Sequence, residues 1–125
     1  MLIDTDVLIW MTRGHAGATA RLQDLVPWRI SAVTYMELAQ GCRNKQELER
    51  TKKGLTLCQT EMLPISTAIS SRAVQLIDAY ALSHGLQVGD ALIAATALEY
   101  GLPVLTANTK HFAQIEGLRV EAFVP

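Results

Sequence analysis

Short apolar runs alternate with longer stretches of helical periodicity along this chain. The apolar runs have the length and composition of buried strands, and we predict β-strands at residues 1–3, 28–31, 62–66, 103–106 and 118–122. Apolar positions spaced three or four residues apart predict helices in between. These helices begin near Asp6, near Thr34 and at Gly89, and also cover residues 15–25, 41–59 and 66–83, with a short helical turn at 111–114.

This alternation of strand and helix predicts an α/β fold. Parallel strands joined by helices are buried on both faces, so we expect a three-layer α/β/α sandwich around a central parallel sheet of four to five strands. The 125 residues suffice for one core and contain no long linker or repeat, so residues 1–125 are predicted to form a single domain. In such sheets ligands bind beyond the carboxyl ends of the strands.

Three acidic residues stand where packing alone does not explain an acid. Asp4 ends the first apolar run, Glu37 lies in the helix that begins near Thr34, and Asp90 precedes an apolar helix body. Asp and Glu are rarely buried unless they are paired or bind a metal. A single such acid is usually a helix cap or a partner of the helix dipole, but all three can reach one edge of the sheet. Together they predict a pocket that binds a divalent cation.

The residue types favour a hard ion such as Mg²⁺ or Mn²⁺. Carboxylates without a cluster of Cys or His suit ions that prefer oxygen ligands, and we interpret His15, His84 and His111 as surface residues. Such an ion can activate water for attack on a phosphodiester. Four hydroxyl residues are either hydrogen-bond partners of the carboxylates or ordinary caps and strand ends: Thr5, Ser31, Thr34 and Thr106.

The charge balance limits the classes of nucleic-acid-binding protein that remain. The chain has a formal net charge of -1 and is 50% hydrophobic, which argues against a disordered or strongly basic protein. A near-neutral sum can still contain a local basic rim that attracts a polyanion. One cation-rich segment is either a solvated helix face or a rim that binds RNA phosphates: Arg43, Lys45, Arg50, Lys52 and Lys53.

Cysteine usage and hydropathy bear on location. Cys42 and Cys58 form no C-x-x-C motif, and the chain begins without a basic leader followed by an apolar segment. The longest apolar run after Asp90, residues 91–95, is far shorter than the roughly 20 residues of a membrane span. We therefore expect a reduced, cytoplasmic protein with no membrane segment.

Three segments of the chain resemble a known family. LIDTDVLIW, SAVTYMEL and GDALIAATALEYGLPVLTANTKHF are similar to the PIN-domain ribonucleases, most closely to the VapC-type toxins of VapBC toxin-antitoxin pairs. The resemblance implies that Asp4, Glu37 and Asp90 are catalytic metal ligands. It places the family's fourth acidic position at Asn108, whose amide offers an oxygen without charge. Asp6 stands where the family often has Asn, and it is either a pocket residue or the N-cap of the first helix.

The resemblance also implies an activity and partners. It implies a Mg²⁺- or Mn²⁺-dependent endoribonuclease toxin that leaves a 5′-phosphate and a 3′-hydroxyl, forms a homodimer and is blocked by a segment of a cognate antitoxin. The alternative, motivated by Asn108, is a catalytically weak PIN-fold module that binds RNA or protein. A phosphoacceptor receiver domain is disfavoured, because the third predicted strand contains no Asp and no Lys directly follows the fourth.

Overall fold

The computed structural model of the chain describes all of residues 1–125. Strands and helices alternate as the sequence predicts. The elements are β1 (Leu2–Ile3), α1 (Thr5–Thr12), α2 (Ala16–Gln23), β2 (Arg29–Ser31), α3 (Ala32–Gln40), α4 (Lys45–Leu57), β3 (Glu61–Leu63), α5 (Thr67–His84), α6 (Val88–Tyr100), β4 (Val104–Thr106) and β5 (Val120–Ala122), with a short 3-10 turn at Thr109–His111 between the last two strands.

All paired strands run parallel. β4 lies between β1 and β5, whereas β2 pairs with β3. β1 and β2 lie side by side, which gives the spatial order β3-β2-β1-β4-β5, but the hydrogen-bonded ladder is interrupted between them. β1 is only two residues long, and the N–H groups of Leu2 and Asp4 both donate to backbone carbonyls on the β4 side. The predicted parallel α/β architecture is confirmed, with its hydrogen bonding divided into a three-stranded and a two-stranded part.

Side chains from successive strand residues enter two separate hydrophobic cores. Leu2 and Val104 pack with α5 and α6 on one face of the sheet. Ile3 and Leu105 pack with α1 and α2 on the other face. Because successive side chains of a strand point to opposite faces, apolar residues in succession are what a sheet covered on both sides requires. The three layers of the predicted sandwich follow from this burial.

Several predicted boundaries shift for local reasons. β3 ends at Leu63 rather than at residue 66, since Pro64 has no N–H to continue a ladder. α4 begins at Lys45, because the Asn44 side chain accepts a hydrogen bond from the N–H of Glu47 at 2.9 Å and caps the helix. These shifts do not change which helix or strand carries the candidate acids.

His15 is a structural residue, and its interpretation as a surface residue was wrong. Its Nδ1 accepts a hydrogen bond of 3.0 Å from the N–H of Ala18 and caps α2. Its ring also packs edge-on against Trp10 and Phe123, with centroid distances of 5.4 and 5.6 Å. His15 therefore joins the turn between α1 and α2 to the C-terminal segment. His84, in contrast, is exposed at the end of α5.

Neither cysteine forms a disulfide. Cys42 Sγ lies 3.3 Å from the backbone carbonyl of Leu38 one turn earlier, and Cys58 is the C-cap of α4.

None of the helices is both long and apolar enough to span a membrane.

Candidate active site

Asp4 is buried at the carboxyl end of β1, where α1 begins. Only 5% of the residue is exposed. Its Oδ1 accepts a hydrogen bond of 2.8 Å from the N–H of Thr5 and so caps α1. Its Oδ2 accepts a hydrogen bond of 2.8 Å from the hydroxyl of Thr106 at the end of β4. The same carboxylate therefore joins a helix N-terminus to the ends of two neighbouring strands.

Asp6 is not the N-cap of α1, because Asp4 occupies that position. Of the two alternatives that the sequence left open for Asp6, the helix cap is therefore contradicted. Asp6 lies in the first turn of the helix, and its carboxylate faces the end of β4. It accepts from the N–H of Ala107, which lies 3.2 and 3.3 Å from its two oxygens, and its Oδ2 lies 3.3 Å from the hydroxyl oxygen of Thr106. Asp6 is therefore part of the pocket beside Asp4.

Glu37 reaches the same region from the second turn of α3. Its Oε1 accepts a hydrogen bond of 2.7 Å from the hydroxyl of Thr5, and that hydroxyl lies 3.1 Å from the hydroxyl of Thr34. Its Oε2 comes so close to α6 that a Cβ placed on Gly89 would lie 3.3 Å away. A glycine at this position therefore lets the Glu37 carboxylate approach the N-terminus of α6.

Asp90 completes the acidic group from the first turn of α6. Its Oδ2 lies 2.9 Å from Nδ1 of His111, on the 3-10 turn after β4, and the two side chains are 20% and 50% exposed. His111 is exposed, as predicted, but its contact with Asp90 was not predicted. The missed signal was its position, five residues beyond a strand whose end carries Thr106.

Two of the four carboxylates, Asp4 and Asp90, have raised pKa values. Burial, followed by the negative charge of Asp6, raises the pKa of Asp4 to about 8 from its ordinary value of 3.8. Burial also raises the pKa of Asp90; His111 opposes this shift, and the charges of Glu37 and Asp6 add to it. Clustered acids with raised pKa values in a pocket are typical of functional sites. Positive charge brought to this pocket would relieve the repulsion.

Asn108 lies apart from this hydrogen-bond network. The residue is exposed, and its backbone N–H, rather than its amide, contacts the site by donating to the Thr106 hydroxyl at 2.9 Å. Ser31 serves as the N-cap of α3, accepting from the N–H of Val33 at 3.1 Å. Thr5 and Thr106 hydrogen-bond the carboxylates directly, whereas Thr34 acts only through Thr5.

The carboxylate oxygens are the type of ligand that a hard cation prefers, although the four side chains do not surround a single point. No three His, Cys, Asp or Glu side chains are arranged closely enough to enclose an ion. Several of the carboxylate oxygens are engaged by protein groups, such as Thr106 on Asp4 and His111 on Asp90. The remaining carboxylate oxygens are ligands that suit Mg²⁺ or Mn²⁺, and no thiolate lies among the pocket residues.

The basic residues around α4 are exposed. None of the residues of α4 is buried, Arg43 pairs with Glu47 at 2.7 Å, and Lys52 lies 4.0 Å from Glu49. A surface depression along this helix is lined by Lys45, Gln46, Glu49, Arg50 and Lys53. This geometry agrees with a solvated helix face and leaves cations available for a polyanion, so the predicted RNA rim stays a prediction.

A groove of about 550 Å³ lies between the first four helices. α1 contributes Leu8 and Met11, α3 contributes Leu38, and Trp28 and Leu55 add apolar surface. Arg43, Glu47 and Arg50 supply charge at the groove. Because α1 and α3 also carry Asp6 and Glu37, the groove and the acidic pocket share two helices.

Comparisons with known proteins agree with this geometry. The profile of one family, described as "PIN domain", matches residues 1–118. Ribonuclease VapC10 of Mycobacterium tuberculosis is 35% identical, with all of this chain and 95% of that protein covered. The tRNA(fMet)-specific endonuclease VapC of Shigella flexneri is 29% identical, with 96% and 95% covered. Among solved structures, a toxin-antitoxin complex from Klebsiella pneumoniae is similar with a TM-score of 0.76 and 33% identity, covering 94% of this chain and 93% of that one.

Proposed function

The chain belongs to the PIN domain family and, within it, to the VapC-type ribonucleases, and from this premise we propose that it is a divalent-metal-dependent endoribonuclease, the toxin of a toxin-antitoxin pair. The observation that carries the proposal is the convergence of Asp4, Asp90 and Glu37 at one edge of the sheet. An endoribonuclease of this kind meets RNA in the cytoplasm, where we propose that it acts.

Asp4, Glu37 and Asp90 would hold the cation. Bound Mg²⁺ or Mn²⁺ would activate water and offset the charge that develops on the phosphodiester. The chain's own residues orient the carboxylates: Thr106 holds Asp4, and Thr5 holds Glu37, at distances of 2.8 and 2.7 Å. The N-termini of α1 and α6 lie at this edge, and helix N-termini favour anionic groups such as phosphate.

RNA would be held by cations outside the pocket. Lys110 is exposed and adjoins His111, which contacts Asp90, so it is well placed to meet a phosphate beside the pocket. The cations on α4 would extend this contact along the RNA backbone. Phosphate contacts of this kind position the strand and carry no sequence information, so the RNA sequence that is cleaved would be selected elsewhere.

The groove between α1, α2, α3 and α4 would receive a segment of the antitoxin. Its mixed lining of apolar side chains with Arg43, Glu47 and Arg50 fits an amphipathic peptide. Such a segment would contact α1 and α3, the helices that also carry Asp6 and Glu37, and an extension of it toward the pocket would exclude RNA. A homodimer is proposed as well, supported by exposed apolar side chains on α5, where Val74 is 59% and Leu82 103% exposed.

Cleavage of RNA by the purified chain tests the proposed activity. A tRNA pool is the first substrate to use, since one relative is named a tRNA(fMet)-specific endonuclease. We expect cleavage with Mn²⁺ or Mg²⁺, none with EDTA, and 5′-phosphate ends. Asp90→Asn should be inactive, whereas Asp78→Asn, which changes an exposed aspartate on α5, should cleave like the wild type. Equal cleavage by wild type and Asp90→Asn would contradict the proposal.

A further inference from the structure

A fourth carboxylate reaches the place where the sequence resemblance leaves only an amide. We propose, resting on the proposed function, that Asp6 is a direct ligand of the divalent cation beside Asp4, Glu37 and Asp90. Asp6 would thereby supply the negative charge that Asn108 lacks.

The position of Asp6 supports this role. It lies on α1, but its carboxylate crosses to the residue that follows β4, where it accepts from the N–H of Ala107 at 3.2 Å. The resemblance places the family's fourth acid just beyond the end of β4, at Asn108. The tertiary structure therefore brings a carboxylate from the first helix to the part of the sheet edge that lacks an acid of its own.

Asp6 has oxygen lone pairs left for a ligand. A carboxylate offers about four acceptor sites, and the single N–H of Ala107 lies between the two oxygens, 3.3 Å from Oδ1 and 3.2 Å from Oδ2. The hydroxyl of Thr106 has a single proton, and it lies 2.8 Å from Asp4 but 3.3 Å from Asp6. The closer contact favours donation to Asp4, so the Asp6 carboxylate is the less satisfied of the two.

Asp6 lies beside Asp4 at the end of β4. The hydroxyl oxygen of Thr106 lies 2.8 Å from Oδ2 of Asp4 and 3.3 Å from Oδ2 of Asp6, so the two carboxylates contact the same side chain. Because the interaction between charges is strongest at short range, a cation that binds Asp4 would also be attracted to Asp6.

Asn108 is a poor substitute by comparison. It is exposed, and its side chain does not even cap the 3-10 turn that follows it. The amide has no negative charge to offer a cation. If Asp6 completes the ligand set, Asn108 gives no reason to expect a catalytically weak protein.

Titration of the purified chain with Mn²⁺ in the absence of RNA tests the role of Asp6. Asp6→Asn keeps an oxygen that can accept from the N–H of Ala107 and removes only the charge, whereas Asp6→Ala removes both. We expect Asp6→Asn to weaken Mn²⁺ binding at least about tenfold, the lower end of what loss of a supporting residue around a metal costs. Its melting temperature without metal should equal or exceed that of the wild type. Asp78→Asn is the matched control.

The outcomes separate this inference from the proposed function. If Asp6 only anchors Ala107, Asp6→Asn will bind Mn²⁺ like the wild type while Asp4→Asn does not, and the role of Asp6 is overturned while the metal site stands. A larger effect from Asn108→Asp than from Asp6→Asn would also overturn it. If the wild type binds no Mn²⁺, or Asp4→Asn binds it equally well, the proposed metal site itself fails.

Discussion

The acidic pocket and helix α4 each gather four like charges, in very different surroundings. In the pocket, Asp4 is 5% exposed, and burial together with neighbouring acids raises its pKa to about 8. On α4 no residue is buried, and two of the nearby cations are paired with glutamates.

The difference in burial between the pocket carboxylates and the α4 cations shows which charged residues are informative about function. A carboxylate in apolar surroundings costs free energy, so a cluster of them persists where some compensating interaction exists. Exposed charges cost little and contribute little to stability, and their presence alone therefore does not identify a binding surface. The burial of charge in the pocket therefore supports a functional role for it, whereas RNA binding by the cations of α4 has to be tested by experiment.

Asp4→Asn should give the largest effect and would test the pocket directly. We expect RNA cleavage to fall at least about 100-fold, the upper end of losses around metal sites. The metal-free protein should become more stable, by about 1 kcal/mol or roughly 4 °C in melting temperature for a domain of this size, because a neutral amide replaces a repelled carboxyl group. Calorimetry and a cleavage assay measure the two. If Asp4→Asn cleaves RNA like the wild type and melts at the same temperature, the buried charge of the pocket is no more informative about function than the exposed charges of α4.

The stability of the metal-free protein should fall as pH rises. Asp4 has a pKa of about 8 when folded, compared with an ordinary value of 3.8, and the pKa of Asp90 is raised too. Between these pH values the folded state holds a proton that the unfolded state has released, so the free energy of unfolding decreases with increasing pH. Above pH 8 this contribution no longer changes.

Melting temperatures in EDTA between pH 5 and pH 8 measure this dependence. Asp4→Asn should flatten the curve, while Asp78→Asn, with an exposed side chain, should reproduce the wild-type slope. A wild-type melting temperature that rises steadily from pH 5 to pH 8 would show that Asp4 is ionised in the folded protein.

The contact between His111 and Asp90 should have a smaller effect. His111→Ala removes the group that lies 2.9 Å from the Asp90 carboxylate, and we expect cleavage to decrease about tenfold through a less well oriented ligand. His111→Asn can place an amide N–H near the position of Nδ1 and should recover part of the loss. His84→Ala is the matched control, because His84 is exposed at the end of α5. Equal activity in His111→Ala and wild type would make His111 a bystander.

Replacing cations on α4 should have the smallest effect on chemistry and a distinct effect on binding. If Lys45, Arg50 and Lys53 contact phosphates, their replacement by Gln should reduce the salt slope of RNA binding by roughly 0.7 per lost contact, with little change in cleavage at saturating RNA. Arg72→Gln is the control, since Arg72 lies on α5 and pairs with Glu99. A salt slope equal to that of the wild type would identify α4 as a solvated face.

Local patterns were sufficient to predict most of the architecture. The apolar runs predicted all five strands within a few residues, and the three intrusive acids were found from their apolar context. Such features depend on the spacing of neighbouring residues along the chain. The same reasoning could not decide between a cap and a pocket residue at Asp6, because the position of the cap depends on which residue ends the strand, and that residue is Asp4.

What the sequence alone determined is therefore the alternation of elements and the set of acids near the sheet edge. The tertiary structure decided which side chains meet there. Thr106 reaches Asp4 across 102 positions of the chain, and Asp6, rather than Asn108, contacts the backbone beyond β4. Likewise, only the packing of the last turn against α6 brings His111 to Asp90. Periodicity reports local structure, whereas contacts between distant segments depend on how the strands are ordered and on where each helix begins.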